Sequence, residues 1–172
     1  MKVSKVIDAT VESWSTVHPD LDFAGMGVLL KLSALAQRLN MDASEMAESC
    51  GITLGEFDVL ATLRRNGPGA KLTPTFIAEV ALVSPSGLTH RLTQLEKAGH
   101  IVRHPDPSDR RSSLISITKS GAALADRIVT HIAETGNDLL ATLSPARVQS
   151  IVRDIEILLQ PVSRNEVEAE RV

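Results

Sequence analysis

Residues 99–121, GHIVRHPDPSDRRSSLISITKSG, set Arg103, Arg110 and Arg111 with His100 and His104 around a proline-rich turn, in a chain of 172 residues whose formal charge is −3. A guanidinium at the tip of a short loop suits phosphate or a narrow groove, because planar donors grip anionic oxygens in pairs. In DRR, Asp109 can hold Arg111 while Arg110 stays free, which gives an arginine-tipped loop sized for a DNA minor groove. A second set of polar residues precedes it. In PSGLTHRLTQLEKA, Leu88, Leu92 and Leu95 have core spacing, leaving Ser86, Thr89, His90, Thr93 and Gln94 on the outward side of a helix. Hydroxyl, amide and imidazole groups read base edges, and Ser84 and Ser86 stand at a helix start whose free N–H groups suit a phosphate. A merely solvated polar face has the same pattern; the adjoining arginine loop favours DNA.

Four further residues have a chemistry that their spacing leaves open. Arg91 lies on or beside the buried stripe of its helix, where a charge needs a partner. Asp58 sits at the edge of the apolar face of EFDVLATLRR, Arg103 lies where the first strand of the hairpin leaves the core, and Trp14 is the only tryptophan, on an apolar stripe. A buried Arg–Asp pair, a phosphate contact and an interface tryptophan would account for them without any ligand.

The elements that must position these groups follow from periodicity and punctuation. Val3, Val6, Ile7, Val11, Trp14 and Val17 trace one face of a helix that HPDLD ends. A second apolar run extends from Phe23 to about Cys50, with Gly51 placed as its stop. TLGE at Thr53–Glu56 has capping-box spacing, and the helix it starts closes at NGPG. Thr73-Pro74, Ser84-Pro85 and Ser144-Pro145 each set a capping hydroxyl before a proline at the first helical position. Two helices separated by about three residues have helix-turn-helix spacing, and HIVRH and SLISIT around PDPSDRRS read as a hairpin. A long helix from Ser120 and another through Val148–Leu158 follow, then a charged tail, SRNEVEAERV, read as frayed.

Composition agrees with this order. Hydrophobic residues make up 43% and aromatics only 2%, so the core is aliphatic, as suits packed helices. The expected fold class is mostly α: a winged helix-turn-helix with long flanking dimerisation helices and a small β-hairpin wing. The expected division is residues 1–50 for the N-terminal helices, 51–119 for the winged core, and 120–172 for the C-terminal helices and tail. The flanking apolar stripes exceed what one small core covers, which predicts a homodimer. One cysteine, no apolar leader and no uninterrupted apolar run predict a cytoplasmic protein away from membranes.

The stretch LTPTFIAEVALVSPSGLTHRLTQLEKAGHIVRHPDPSDRRSSLISITKSG resembles the winged core of the MarR family of bacterial transcription regulators, and the flanking helices resemble its dimerising arms. That resemblance implies a symmetric dimer bound to a pseudo-palindromic DNA operator and released by a small effector, with a repressor as the expected role. The N-terminal helix with W…HPDLD, followed by GEFDVLATLRRNGPG, is similar to the urate-responsive branch, whose ligand residues correspond to Trp14, Asp58, Arg91 and Arg103. It implies a urate-like purine anion as effector, held by the two guanidinium groups beside Trp14. The alternatives are a phenolic or lipophilic anion, or oxidation of Cys50. His90, His100 and His104 lack a cysteine to complete a zinc site, and neither cofactor nor metal is expected. No nucleophile elbow, phosphate loop or paired carboxylates support an enzyme.

Overall fold

A computed structural model describes residues 3–81, 85–107 and 113–160. The element order is α1 (Val3–Val17), α2 (Ala24–Ser49), α3 (Leu54–Arg65), α4 (Pro74–Val80), α5 (Pro85–Lys97), β1 (Ile101–Pro105), β2 (Ser113–Ile117), α6 (Lys119–Leu140) and α7 (Pro145–Leu159). The chain divides into two compact units, Met1–His131 and Ile132–Val172.

Helix starts follow the capping chemistry written in the sequence. Thr53 accepts the Glu56 N–H, while the Glu56 carboxylate accepts the Thr53 N–H at 2.8 Å, completing a capping box. Thr73 and Ser144 accept from the N–H groups of Phe76 and Arg147, each with proline at the first helical position. Ser84, the third such cap expected, lies outside the described residues, as does the SRNEVEAERV tail. Gly51, with φ of 81°, terminates α2 in the left-handed region that a side chain disfavours.

The core of the first unit joins α3, α4, α5 and the hairpin with α6. Leu60, Leu63, Ile77, Leu92, Leu95, Ile101, Ile115 and Ile128 are all essentially buried. β1 and β2 pair antiparallel, with Ile101 opposite Ile117 and Arg103 opposite Ile115. Leu72, just before α4, exchanges both backbone hydrogen bonds with Ile115, at 2.9 and 2.8 Å, so the wing is sewn to the helix-turn-helix through main chain. At the other end, Thr118 and Ser120 donate to the Gly99 carbonyl at 2.9 and 3.0 Å, pinning the start of α6 to the turn that leaves α5.

Exposure of apolar side chains is concentrated on the long helices. Val3, Val17, Val28, Leu29 and Met41 on α1 and α2 are each more than half exposed. In the second unit α7 buries none of its residues, and Ile157, Leu158 and Leu159 are 66%, 56% and 77% exposed. Among the described residues no helix is long and apolar enough to cross a membrane.

Candidate functional site

α5 follows α4 closely and turns one face inward: Leu88, Leu92 and Leu95 are buried, as their spacing predicts. On the other face Thr89 and His90 are exposed and Thr93 and Gln94 half-buried, with the Thr93 hydroxyl donating to the Thr89 carbonyl at 2.9 Å. Each of these side chains retains acceptor or donor capacity for a polar partner. Ser84, Asp109, Arg110 and Arg111 lie outside the described residues, as does the side chain of Ser86. Within the wing, His104 Nε2 and Ser116 Oγ share a 2.7 Å hydrogen bond across the strands.

Arg91 and Asp58 come together between α3 and α5. Arg91 projects from α5 toward the first turns of α3, and its guanidinium lies against the backbone at Gly55. Its Nη1 is buried and has no hydrogen-bond partner among the described residues. Asp58, one turn beyond Gly55 on the same helix, is half-buried. Burial pushes its carboxyl above the usual carboxylate range, while the positive charges of Arg91 and then Arg65 pull the other way. These charges are close enough to act on one another, yet no ion pair within 4.0 Å closes between Asp58 and Arg91 among the described residues. Arg65 itself donates to the Thr62 hydroxyl at 3.3 Å and toward the Val80 carbonyl at 3.5 Å. The simple buried Arg–Asp pair is therefore not what forms: a cation and a carboxyl share a partly dry space without neutralising each other directly.

Arg103 and Trp14 stand apart from this pair. Arg103 Nε donates to Glu96 Oε2 at 2.8 Å, joining β1 to the C-terminal part of α5. Trp14 is 46% exposed and stacks on His18, one turn along, with ring centroids 5.8 Å apart. It borders a shallow groove along its own helix with Lys5, Val6, Ala9, Thr10 and Ser13. No hydrogen bond, ion pair or ring contact joins Trp14 to Asp58, Arg91 or Arg103.

Two residues that sequence reasoning passed over belong to this description. Glu96 is the partner that Arg103 takes, and Gly55 is the surface on which Arg91 rests. Gly55 lay in view inside TLGE, as a glycine in the first turn of a helix, where nothing about capping asks for one. Cys50 is half-buried beside the Ser49 hydroxyl, 3.9 Å away, and among the described residues no group of three or more His, Cys, Asp or Glu side chains is placed to hold a metal ion.

The pattern of the MarR family matches residues 51–112, which span α3 and the helix-turn-helix and run into the wing. The chain is similar to the HTH-type transcriptional regulator PecS of Dickeya dadantii, with 36% identity over 134 residues, covering 78% of this chain and 81% of PecS. Its fold is similar to that of the YusO protein of Bacillus subtilis, with a TM-score of 0.63 and 27% identity over 78% of this chain and 94% of YusO. It is similar as well to a mutant MarR of Escherichia coli in complex with operator DNA, with a TM-score of 0.65 and 25% identity over 80% of this chain and 98% of that one. A helix-turn-helix whose second helix turns a polar face outward, backed by a hairpin sewn to it and matched by relatives over most of their length, has one consistent reading: the chain belongs to the MarR family of DNA-binding transcriptional regulators.

Proposed function

We propose that this regulator is a homodimeric repressor that leaves its operator when a small planar anion, urate or a related purine, binds between α3 and α5. The observation that carries the effector reading is the buried, unpartnered Nη1 of Arg91 beside the half-buried Asp58 carboxyl. A buried guanidinium donor without an acceptor is costly, and an anionic ligand oxygen removes that cost. Arg91 sits on α5, the helix whose outward face carries Thr89, His90, Thr93 and Gln94, so an anion that draws Arg91 to a new position also shifts the DNA-reading surface. Arg103 reaches the ligand on release from Glu96, and Trp14 closes over it from α1. Ser84, Ser86 and the face of α5 take the major groove, and Asp109, Arg110 and Arg111 take the minor groove at the wing. A two-fold pair of such units reads half-sites whose centres lie roughly 10 base pairs apart.

Trp14 is the only tryptophan and the chain has no tyrosine, so its emission reports on the ligand wall alone. Titration with urate is expected to quench that emission saturably and to release operator DNA over the same concentration range, since ligand and DNA favour different positions of α5. Release by a phenolic or lipophilic anion with no response to urate would keep the mechanism and replace the ligand. Release by peroxide, blocked by Cys50→Ser, would move the switch to the thiol.

A further inference from the structure

We propose that Gly55 decides whether the anion site exists: only a residue without a side chain at position 55 lets the Arg91 guanidinium lie over the first turn of α3 with Nη1 buried and its hydrogen bond unmade. This deepens the effector reading above and rests on it. A Cβ placed on Gly55 would lie 2.6 Å from Arg91 Nη2 and 2.7 Å from Nε, and closer still to Cζ. Near-equal approach to three atoms of one plane means that a methyl group would press on the face of the guanidinium rather than on its edge. Such separations are well inside van der Waals contact, so the guanidinium must shift from this position if any side chain arrives.

The backbone gives no other reason for glycine here. The described glycines with positive φ are Gly51, Gly67, Gly69 and Gly99, and Gly55 is not among them. It sits inside α3, two residues past the Thr53 cap, where alanine favours the helix and glycine disfavours it. A helix weakened at its first turn, with a flat cation laid on the gap, brings the Arg91 charge within electrostatic reach of Asp58 one turn further along. Position 55 therefore acts as a size filter for the side chain that meets the ligand, and it contributes no hydrogen bond of its own. It is a positioning residue, acting through Arg91.

Because arginine is flexible and α3 tolerates alanine, Gly55→Ala is expected to retain the helical circular dichroism of the parent while displacing Arg91. Calorimetric titration with urate and, separately, with salicylate is the direct test. Gly55→Ala is expected to weaken anion binding by on the order of tenfold or more, the loss of a charge-assisted hydrogen bond. Arg91→Ala is expected to do the same, and the double variant to be no worse than Arg91→Ala alone, because residue 55 acts only through the guanidinium. Thermal melting supplies a readout that needs no ligand: Gly55→Ala is expected to be less stabilising in the parent, where Arg91 must shift, than in the Arg91→Ala background, where only the helix preference remains. Anion binding by Gly55→Ala equal to the parent, or equal melting shifts in both backgrounds, overturns the inference and leaves the effector reading in place. Salicylate binding that depends on Gly55, with no urate binding, retains the inference and removes the purine. If neither anion binds the parent, the site is not an anion site and both readings fall.

Discussion

Arg103 and Glu96 form a 2.8 Å ion pair between the first wing strand and the last turns of α5, seven residues apart in sequence and on opposite sides of the turn at Gly99. The pair is partly exposed, so its direct contribution to stability is no more than about 1 kcal/mol. Its consequence is positional: a cation that would otherwise be available to phosphate is held against the recognition helix.

Glu96→Gln is therefore expected to change the melting temperature little while strengthening operator binding, because Arg103 is released toward the DNA backbone. The salt dependence of binding should steepen by about one phosphate contact. A plot of log affinity against log salt, compared for parent and variant, checks this. An unchanged slope would confine Arg103 to bracing the wing.

Asp58 sets a pH dependence of definite sign. Burial raises its folded-state pKa above the ordinary value, against the pull of Arg91 and Arg65, so the protonated form is the one that folding favours. The stabilising contribution is complete below the ordinary carboxyl pKa and is lost as pH rises through the folded-state value. Asp58→Asn, neutral at every pH, is expected to raise the melting temperature at pH 7 by roughly 1–3 °C, a range kept small because the group is only half-buried. Toward pH 3 the two proteins should converge. A gap that widened on acidification would reverse the sign and show that Asp58 is held by its arginine neighbours rather than strained by burial.

The helix starts were legible because a cap is written in adjacent residues: Thr53 with Glu56, Thr73 with Pro74, and Ser144 with Pro145 appear in the structure with the hydrogen bonds their types require. The buried stripe of α5 was legible for a similar reason, since three leucines at helical spacing leave no second face to bury. Arg91 could be seen to lie near that stripe, but what it would touch could not. Its contact with Gly55 joins residues 36 positions apart across two packed helices, and a glycine carries no pattern that announces a guanidinium above it. Trp14 is a different case. Its place on the apolar stripe of α1 was legible, while its neighbour was not: among the described residues it is half exposed and stacks on His18.

The uncovered apolar faces carry the prediction for assembly. Leu158 lies on α7, a helix that buries none of its own residues, and a run of exposed aliphatic side chains at helical spacing is what a self-complementary interface needs. Sedimentation of the parent is expected to give twice the 18.5 kDa chain mass. Leu158→Asp should shift it toward the monomer with its helical content kept, and operator affinity should fall by about 100-fold or more as the two half-sites cease to be bound together. A monomeric parent that holds its operator tightly would overturn the two-fold arrangement.

The last prediction separates binding of the effector from release of DNA. If the charge of the anion acts on α5 through repulsion from the Asp58 carboxylate, then removing that carboxylate charge should leave the ligand held by Arg91 but take away the strain that moves the helix. Asp58→Asn is accordingly expected to show saturable Trp14 quenching by urate while retaining operator DNA at ligand concentrations that free the parent. Arg91→Ala should lose quenching and release together, because its guanidinium is the donor that lacks a partner in the free protein. Arg103→Ala should lose the ligand response and also some operator affinity, since Arg103 braces the wing against α5 through Glu96. Fluorescence and gel-shift titrations run on the same samples check all three. If Asp58→Asn releases DNA as readily as the parent, repulsion is not the driving force, and the pull of the ligand on Arg91 must move the helix by itself.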